Sequence, residues 1–424
     1  MKKVKRIIAI AFALALTFSM TACSGGSGGD TTSADKDYII VGRVAPLTGA
    51  LASFGKGSLE MEQAAVEKLN ADGGIYIKEY DKKLPIKFVM ADSESDTTKA
   101  SEAATKLINE SKIDVMIVSH TVDTVNPVTA ACERAGIPCI SVDAPADAWL
   151  SGGPYTSSFH AFFDTKTEIS CFIDAWDLAD TNKKVGILAA NDNEGIEVSA
   201  NVAEYAEARG YEVYDPGRFT SGASDYTSII NDLKKADCDI IVGVMITPDF
   251  ATFWQQCHSQ GYVPKVSTIA KACLFRADVA AIGDNGLASG VVSEVWWTPN
   301  HPFKSSLTGQ TCAEIGQIWT DLFNEPAAPT CGYKYANVEI LVDILTRAAS
   351  LDPDKIVAAA AETDLDTIVG HVKYNKDHVS VMSLVTGQWV YHEDGTWTQE
   401  IIANKQIPDC PVSAEMITLP GATQ

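Results

Sequence analysis

Short β-branched runs alternate with helix-period stripes along most of this chain, in two successive series. Residues 39–45 (Ile-Ile-Val-Gly-Arg-Val-Ala) form the first strand-like run, and 86–90, 115–118 and 139–142 follow it. Helical patterns lie between them. Met61, Ala65 and Leu69 share a face that ends at Asp72-Gly73-Gly74; 98–109 and 125–135 follow, the latter with Pro127 near its first turn, where a missing N–H does no harm. The second series begins after Phe159. It predicts helices over 169–178, 198–209, 226–235 and 251–260, and strands over 185–189, 211–214, 240–244 and 266–269. Runs without polar alternation predict strands covered on both faces, as in parallel sheets. Two such series predict two doubly wound α/β lobes. Helices over 312–323 and 335–350 and strand-like segments over 381–390 and 397–402 complete the pattern.

The 424 residues are too many for one hydrophobic core and suit two domains. A hydrophobic content of 46% with 8 Trp and 14 Phe indicates a globular body. The formal charge of −22 disfavours nucleic acid, whose phosphates need clustered Lys and Arg, and direct adhesion to anionic lipid. Beyond Cys23 the cysteines are Cys132, Cys139, Cys171, Cys238, Cys257, Cys273, Cys312, Cys331 and Cys410, with no Cys-x-x-Cys pair. They read as buried hydrophobes rather than a zinc framework or a disulfide scaffold. His371 and His378 lack a third ligand, so no metal is expected, and no cofactor is implied.

At the amino end, Lys2, Lys3, Lys5 and Arg6 precede a short apolar run over 7–20, then Met20-Thr21-Ala22-Cys23 and the polar stretch Ser24-Gly25-Gly26-Ser27-Gly28-Gly29-Asp30. The run is short for a membrane span and has the layout of a secretory signal. With a cysteine at the cleavage point it resembles a bacterial lipoprotein signal. That resemblance implies removal of 1–22, lipidation of Cys23, and a protein tethered outside the cell, or in the periplasm, by residues 23–37. The tether holds no apolar anchor and reads as flexible.

Val44-Ala45-Pro46-Leu47-Thr48-Gly49, then Ser53-Phe54-Gly55 and a helix ending in Asn70-Ala71-Asp72-Gly73-Gly74-Ile75, resembles the start of the type I periplasmic solute-binding proteins of ABC transporters, the leucine/isoleucine/valine-binding group. Asp92 after the second strand, Ala135-Gly136-Ile137-Pro138-Cys139-Ile140-Ser141, and Phe219-Thr220-Ser221-Gly222-Ala223-Ser224-Asp225-Tyr226 agree in order and spacing. The resemblance spans about residues 38–410. It implies two Rossmann-like lobes joined by three hinge crossings, near 156–160, 294–298 and 381–384. The amino-terminal lobe is expected over 38–157 plus 298–382, and the carboxyl-terminal lobe over 158–297 plus 383–415. Ligands of such sheets sit beyond the carboxyl ends of the strands, where helix N-termini offer unpaired N–H donors.

Candidate ligand-binding residues follow from that placement. His120, Thr121 and Thr124 occupy the loop where the family's amino-acid binders hold a ligand carboxylate. Asp143 and Ala144 lie on the next loop, and Phe54 stands where an aromatic residue meets the ligand. Asn193 and Thr247 are candidates from the second lobe. Lys271 departs from the family pattern: it replaces the acidic residue that pairs with an amino acid's ammonium group. A lysine repels ammonium and attracts carboxylate, so a carboxylate-bearing, aromatic solute lacking a primary amine is expected in preference to an ordinary amino acid. Trp296 and Trp297 are adjacent on a strand and point to opposite faces; Trp297 is assigned to the cleft.

An enzyme is disfavoured, because no nucleophile elbow, zinc-protease helix, Walker loop or dinucleotide fingerprint is present. A branched-chain or other amino-acid binder and a ligand-sensing domain of a receptor are the alternatives, with a secreted hydrolase behind them. The partners implied are a small-molecule solute, a membrane permease and, through the lipid only, the membrane; the binder itself is expected as a monomer.

Overall fold

The computed structural model describes residues 36–283 and 285–422; the leader and the lipidation candidate Cys23 lie outside them. Two mainly parallel sheets carry the architecture. The first runs, in spatial order, Val379–Val381, Ser158–Phe162, Cys139–Val142, Val115–Val118, Ile39–Ala45 and Ile86–Asp92, all parallel. The second runs Trp397–Ala403, Val385–Tyr391, Val292–Val295, Val266–Lys271, Ile240–Met245, Lys184–Ala189 and Glu212–Tyr214. There Val385–Tyr391 is antiparallel to both neighbours, and the remaining pairs are parallel.

Burial on both faces is why these strands read as unbroken apolar runs: every residue of Val115–Val118, Cys139–Val142 and Ile240–Met245 is buried. Ile39 and Val41 pack towards Ser58–Ala71 and Cys331–Ala348, whereas Ile40 and Val44 pack towards Thr97–Lys106 and Val122–Ala135. In the second sheet Ile241 and Met245 meet Thr227–Lys235 and Thr247–Ser259, while Ile240 and Val242 meet Thr165–Trp176 and Asn193–Glu207. Each sheet is thus a three-layer lobe. All nine cysteines from Cys132 to Cys410 are free and buried. Among the described residues no helix is long and apolar enough to cross a membrane.

Both lobes begin inside their sheet, step outward by one strand, then return to the far side of the starting strand. Connections on the two sides leave a crevice at the carboxyl ends where they diverge. In the first lobe it opens between Ile39–Ala45 and Val115–Val118, and in the second between Lys184–Ala189 and Ile240–Met245.

Three crossings join the lobes, but the first falls later than expected. Ser158–Phe162 pairs with Cys139–Val142, so the chain leaves the first sheet after Phe162 and not at 156–160. His160 disguised this strand in the sequence. Its ring is buried between the Ser141 hydroxyl, 2.8 Å from Nδ1, and the Ala144 carbonyl, 2.6 Å from Nε2. The other crossings follow Val295 and Val381. Two further expectations shift: Pro127 sits in the second turn because its helix starts at Val122, and Lys271 ends a strand instead of following it.

A charged cluster is buried beneath the first crevice. Arg43, fully buried on the first strand, donates from Nε to Glu62 Oε1 at 2.5 Å and from Nη2 to Ser119 Oγ at 2.6 Å. Burial raises the Glu62 carboxyl, and Arg43 opposes that. Lys334 Nζ donates to the Phe54 carbonyl at 3.0 Å and to Thr330 Oγ1 at 2.5 Å. Burial lowers Lys334 to about 8. Removing one partner of a buried pair strands the other charge, at a cost of about 3–5 kcal/mol. Arg43→Leu is therefore expected to lower the urea midpoint strongly, by fluorescence-monitored unfolding, and Arg43→Leu/Glu62→Leu to recover part of the loss.

Candidate functional site

The carboxyl ends of the two sheets meet at a pocket lined from both lobes. Four predicted residues reach it: Phe54, Thr121, Asp143 and Lys271. Phe54 packs edge-on to Phe275 of the second lobe at 4.8 Å between ring centroids and lies 6.0 Å from Trp296.

The first-lobe loops are strained where they face the cleft. His120, Thr121 and Asp143 have φ of 79°, 66° and 62°, a region that side-chain-bearing residues seldom adopt. Thr121 N–H donates to the Asp143 carbonyl at 2.9 Å, tying the two loops. His120 Nε2 lies 2.9 Å from Arg43 Nη2, which can only donate, so this nitrogen is the acceptor. Burial, then the Lys334 and Arg43 charges, hold the imidazole neutral. His120 Nδ1 is 3.1 Å from Asp143 Oδ2 but without hydrogen-bond alignment. Both Asp143 oxygens and Thr121 Oγ1 are buried without a hydrogen-bond partner. Burial first, opposed by Lys334 and Arg43, holds Asp143 up at about 7.

His120 thus lies beneath the pocket as a support for Asp143 rather than on its wall. Thr124 is buried in its helix, and the buried Ala144 contributes its carbonyl to His160. Asn193 is exposed, and it is the next residue, Glu194, that enters the pocket. Thr247 Oγ1 donates to the Ala272 carbonyl at 3.1 Å, outside the lining. Trp297 is corrected to Trp296. Trp297 packs on Gly332, where a Cβ would fall 2.3 Å from its ring, and its Nε1 donates to the Ile368 carbonyl at 3.0 Å. The strand expected to carry both tryptophans ends at Val295, and Trp296, in the bend that follows, lines the pocket.

Lys271 is among the residues lining the pocket, but its charge is already engaged. Nζ lies 3.0 Å from Glu194 Oε2 and 3.6 Å from Asp123 Oδ2. Burial lowers the lysine, yet Glu194 and Asp123 outweigh this and hold it above its ordinary value. The Asp123 contact joins the lobes, as does Ser53 Oγ donating to Asp278 Oδ1 at 3.0 Å.

Sequence reasoning missed the acids. Glu168, Glu194, Glu197 and Glu294 all line the pocket. Glu168 and Glu294 are buried, and among the described residues neither has a cationic side chain within ion-pair reach. Glu294 Oε1 accepts from Trp296 Nε1 at 3.3 Å, and Oε2 has no partner. Burial raises both carboxyls, Glu294 to about 8, and Glu294 raises Glu168 further. A signal was available for Glu294: an acid inside the apolar strand Val-Ser-Glu-Val is costly unless something pairs with it. Glu168 had none, because an acid in the first turn of a helix is ordinary. Among the described residues no group of three or more His, Cys, Asp or Glu suits a metal ion.

Comparison with known proteins agrees with this geometry. The "Leu/Ile/Val-binding protein homolog 8" of Brucella abortus (strain 2308) is 22% identical over 365 residues, covering 82% of this chain and 87% of that protein. The solved substrate-binding protein LivJ of a branched-chain amino acid transporter from Streptococcus pneumoniae, in complex with isoleucine, superposes with a TM-score of 0.68 at 19% identity, covering 87% of this chain and 100% of that one. An R. palustris ABC-transporter solute-binding protein in complex with 4-hydroxybenzoate superposes with a TM-score of 0.71 at 17% identity, covering 88% and 98%. The family profile described as "Periplasmic binding protein" matches residues 39–396, so two α/β lobes closing over a shared pocket are here the fold of a member of the periplasmic binding protein family.

Proposed function

We propose that this protein is the solute-capturing component of an ABC importer, held at the outer face of the membrane by a lipid on Cys23, and that its solute carries an ammonium group. The relatives support the transport role. The buried carboxylates Glu168 and Glu294, side by side on the pocket wall without a cation, carry the reading of the solute. Such groups are costly to bury unless a positive charge meets them. Trp296, Phe54 and Phe163 supply apolar and π faces beside them, a setting that favours a desolvated cation. The chain binds and releases its solute unchanged.

This reading weighs against the carboxylate-bearing, amine-free solute that Lys271 suggested. Its ammonium is matched by Glu194 and Asp123, so it offers no spare positive charge. A benzoate-type acid, as in the R. palustris complex, would find among the lining residues one cation only, Lys271, already committed to Glu194 and Asp123. The alternative of an amino-acid solute, as in the LivJ complex, gains from the same acids.

Ligands raise stability by mass action. In a thermal-shift screen, solutes bearing a primary amine are expected to raise the melting temperature, and carboxylates lacking one are not. Charge-assisted hydrogen bonds contribute about 1.5–3 kcal/mol, so Glu294→Gln should weaken amine binding about 10- to 100-fold by calorimetry.

The pH dependence has a definite sign. Glu294 is raised to about 8 in the free protein, which stabilises the fold at low pH and fades as pH rises through that value. An ammonium group favours the ionised carboxylate and expels its proton. Affinity should therefore rise from about pH 6 to about pH 8, with protons released, and the rise should flatten in Glu294→Gln. Cys23→Ser is expected to move the protein from the membrane fraction to the soluble one.

A further inference from the structure

Three of the helices that begin at the cleft have amino ends that are satisfied differently. Thr165–Trp176 is capped by its own Asp164, which accepts from Thr167 N–H at 2.8 Å. Asn193–Glu207 is capped by its own Asp192, which accepts from Gly195 N–H at 2.8 Å. Val122–Ala135 has no such cap: the Thr121 side chain makes no capping bond, and its buried Oγ1 is left without a partner at the pocket. The first N–H of this helix, that of Val122, instead donates to Glu194 Oε1 at 3.4 Å, across the cleft from the other lobe.

Glu194 is built into that position. A Cβ on the following Gly195 would fall 1.9 Å from the Ala190 carbonyl oxygen, so the helix start is pressed against the strand end and Glu194 is aimed outward. Its other oxygen, Oε2, is 3.0 Å from Lys271 Nζ. Glu194 therefore has both features a bound carboxylate seeks, the positive end of a helix dipole and a lysine.

We infer that the solute is an organic amine lacking a carboxylate group, because Glu194 supplies from within the protein the anion that an amino acid would bring to the Val122 helix terminus. This rests on the ammonium reading of the Glu168–Glu294 wall and narrows it. A solute carboxylate entering there would have to displace Glu194 from Lys271. It would also meet Asp143, whose two oxygens are buried without hydrogen-bond partners on the same side of the pocket. An amine without the acid meets neither obstacle.

The test is calorimetry and thermal shift on the whole protein with matched sets: the protein amino acids, the amines formed by their decarboxylation, and the corresponding acids without the amine. The expected result is that the tightest ligand is an amine, bound at least tenfold more tightly than its parent amino acid. Glu194→Ala should narrow that ratio about tenfold or more, by opening the helix terminus and Lys271 to a ligand carboxylate. A parent amino acid binding as tightly as its amine overturns this inference and leaves the ammonium reading standing. An amine-free acid as the tightest ligand overturns both, and so does the absence of any shift across the amines. A ratio unmoved in a folded Glu194→Ala variant also overturns the inference.

Discussion

Two parallel sheets with their carboxyl ends turned towards one another impose the constraint on which everything else depends. Strands end there together, helices begin there, and the backbone groups at those ends cannot be paired within either element. The first lobe meets this with strained loops: His120, Thr121 and Asp143 all lie at positive φ. Such conformations cost of order 1–3 kcal/mol each and persist only when their surroundings fix them. Arg43, Ser58 and Ser119 converge on His120 from below, and the Thr121–Asp143 backbone bond closes the pair of loops. The buried ionic cluster is in that sense the foundation of the pocket wall, although none of Arg43, Glu62 or Lys334 lines it.

The same constraint explains the electrostatics. Buried acids near a helix start are stabilised by its dipole and by any neighbouring cation. Glu194 has both: burial still raises its carboxyl, Lys271 opposes that, and Lys271 is held above its ordinary value in return. Glu168 and Glu294 have no such cation, and burial leaves them raised. One wall of the pocket thereby has a cationic partner for its acid and the other does not. The wall without one is where a ligand gains most.

Much of the fold was legible because buried parallel strands are written as apolar runs: Ile39–Ala45, Val115–Val118 and Cys139–Val142 fall where the pattern puts them. Ser158–Phe162 was hidden because Ser158 and His160 interrupt its apolar character, while tertiary hydrogen bonds make the polar groups tolerable. The site was less legible for a geometric reason. Side-chain direction is inferred from a period of two along a strand, and residues in the left-handed region break that period. Lys271, with φ of 63°, and Asp143 sit at such points. The expected alternation placed only one of Trp296 and Trp297 at the cleft, but nothing in their spacing said which. That depended on Gly332, which gives Trp297 a place to pack. Lys271 shows the deeper limit. Its position was readable, but its electrical meaning depended on Glu194 and Asp123, which are remote in sequence and carried by different lobes.

The charge of the whole chain bears on the same question through rate. A protein of formal charge −22 raises the local concentration of cations and lowers that of anions around its mouth, within roughly a Debye length of 8–10 Å at physiological salt. For a solute-binding protein, capture depends on encounter as well as on fit. An amine is drawn first by the general field and then by Glu168 and Glu294 as it loses water. A benzoate-type anion would oppose the field outside and offers nothing to ionise the same acids within. The long-range field and the proposed ionisation of the Glu168–Glu294 wall thus favour the same sign of charge, and that agreement between two length scales is the physical argument for the proposed cationic solute.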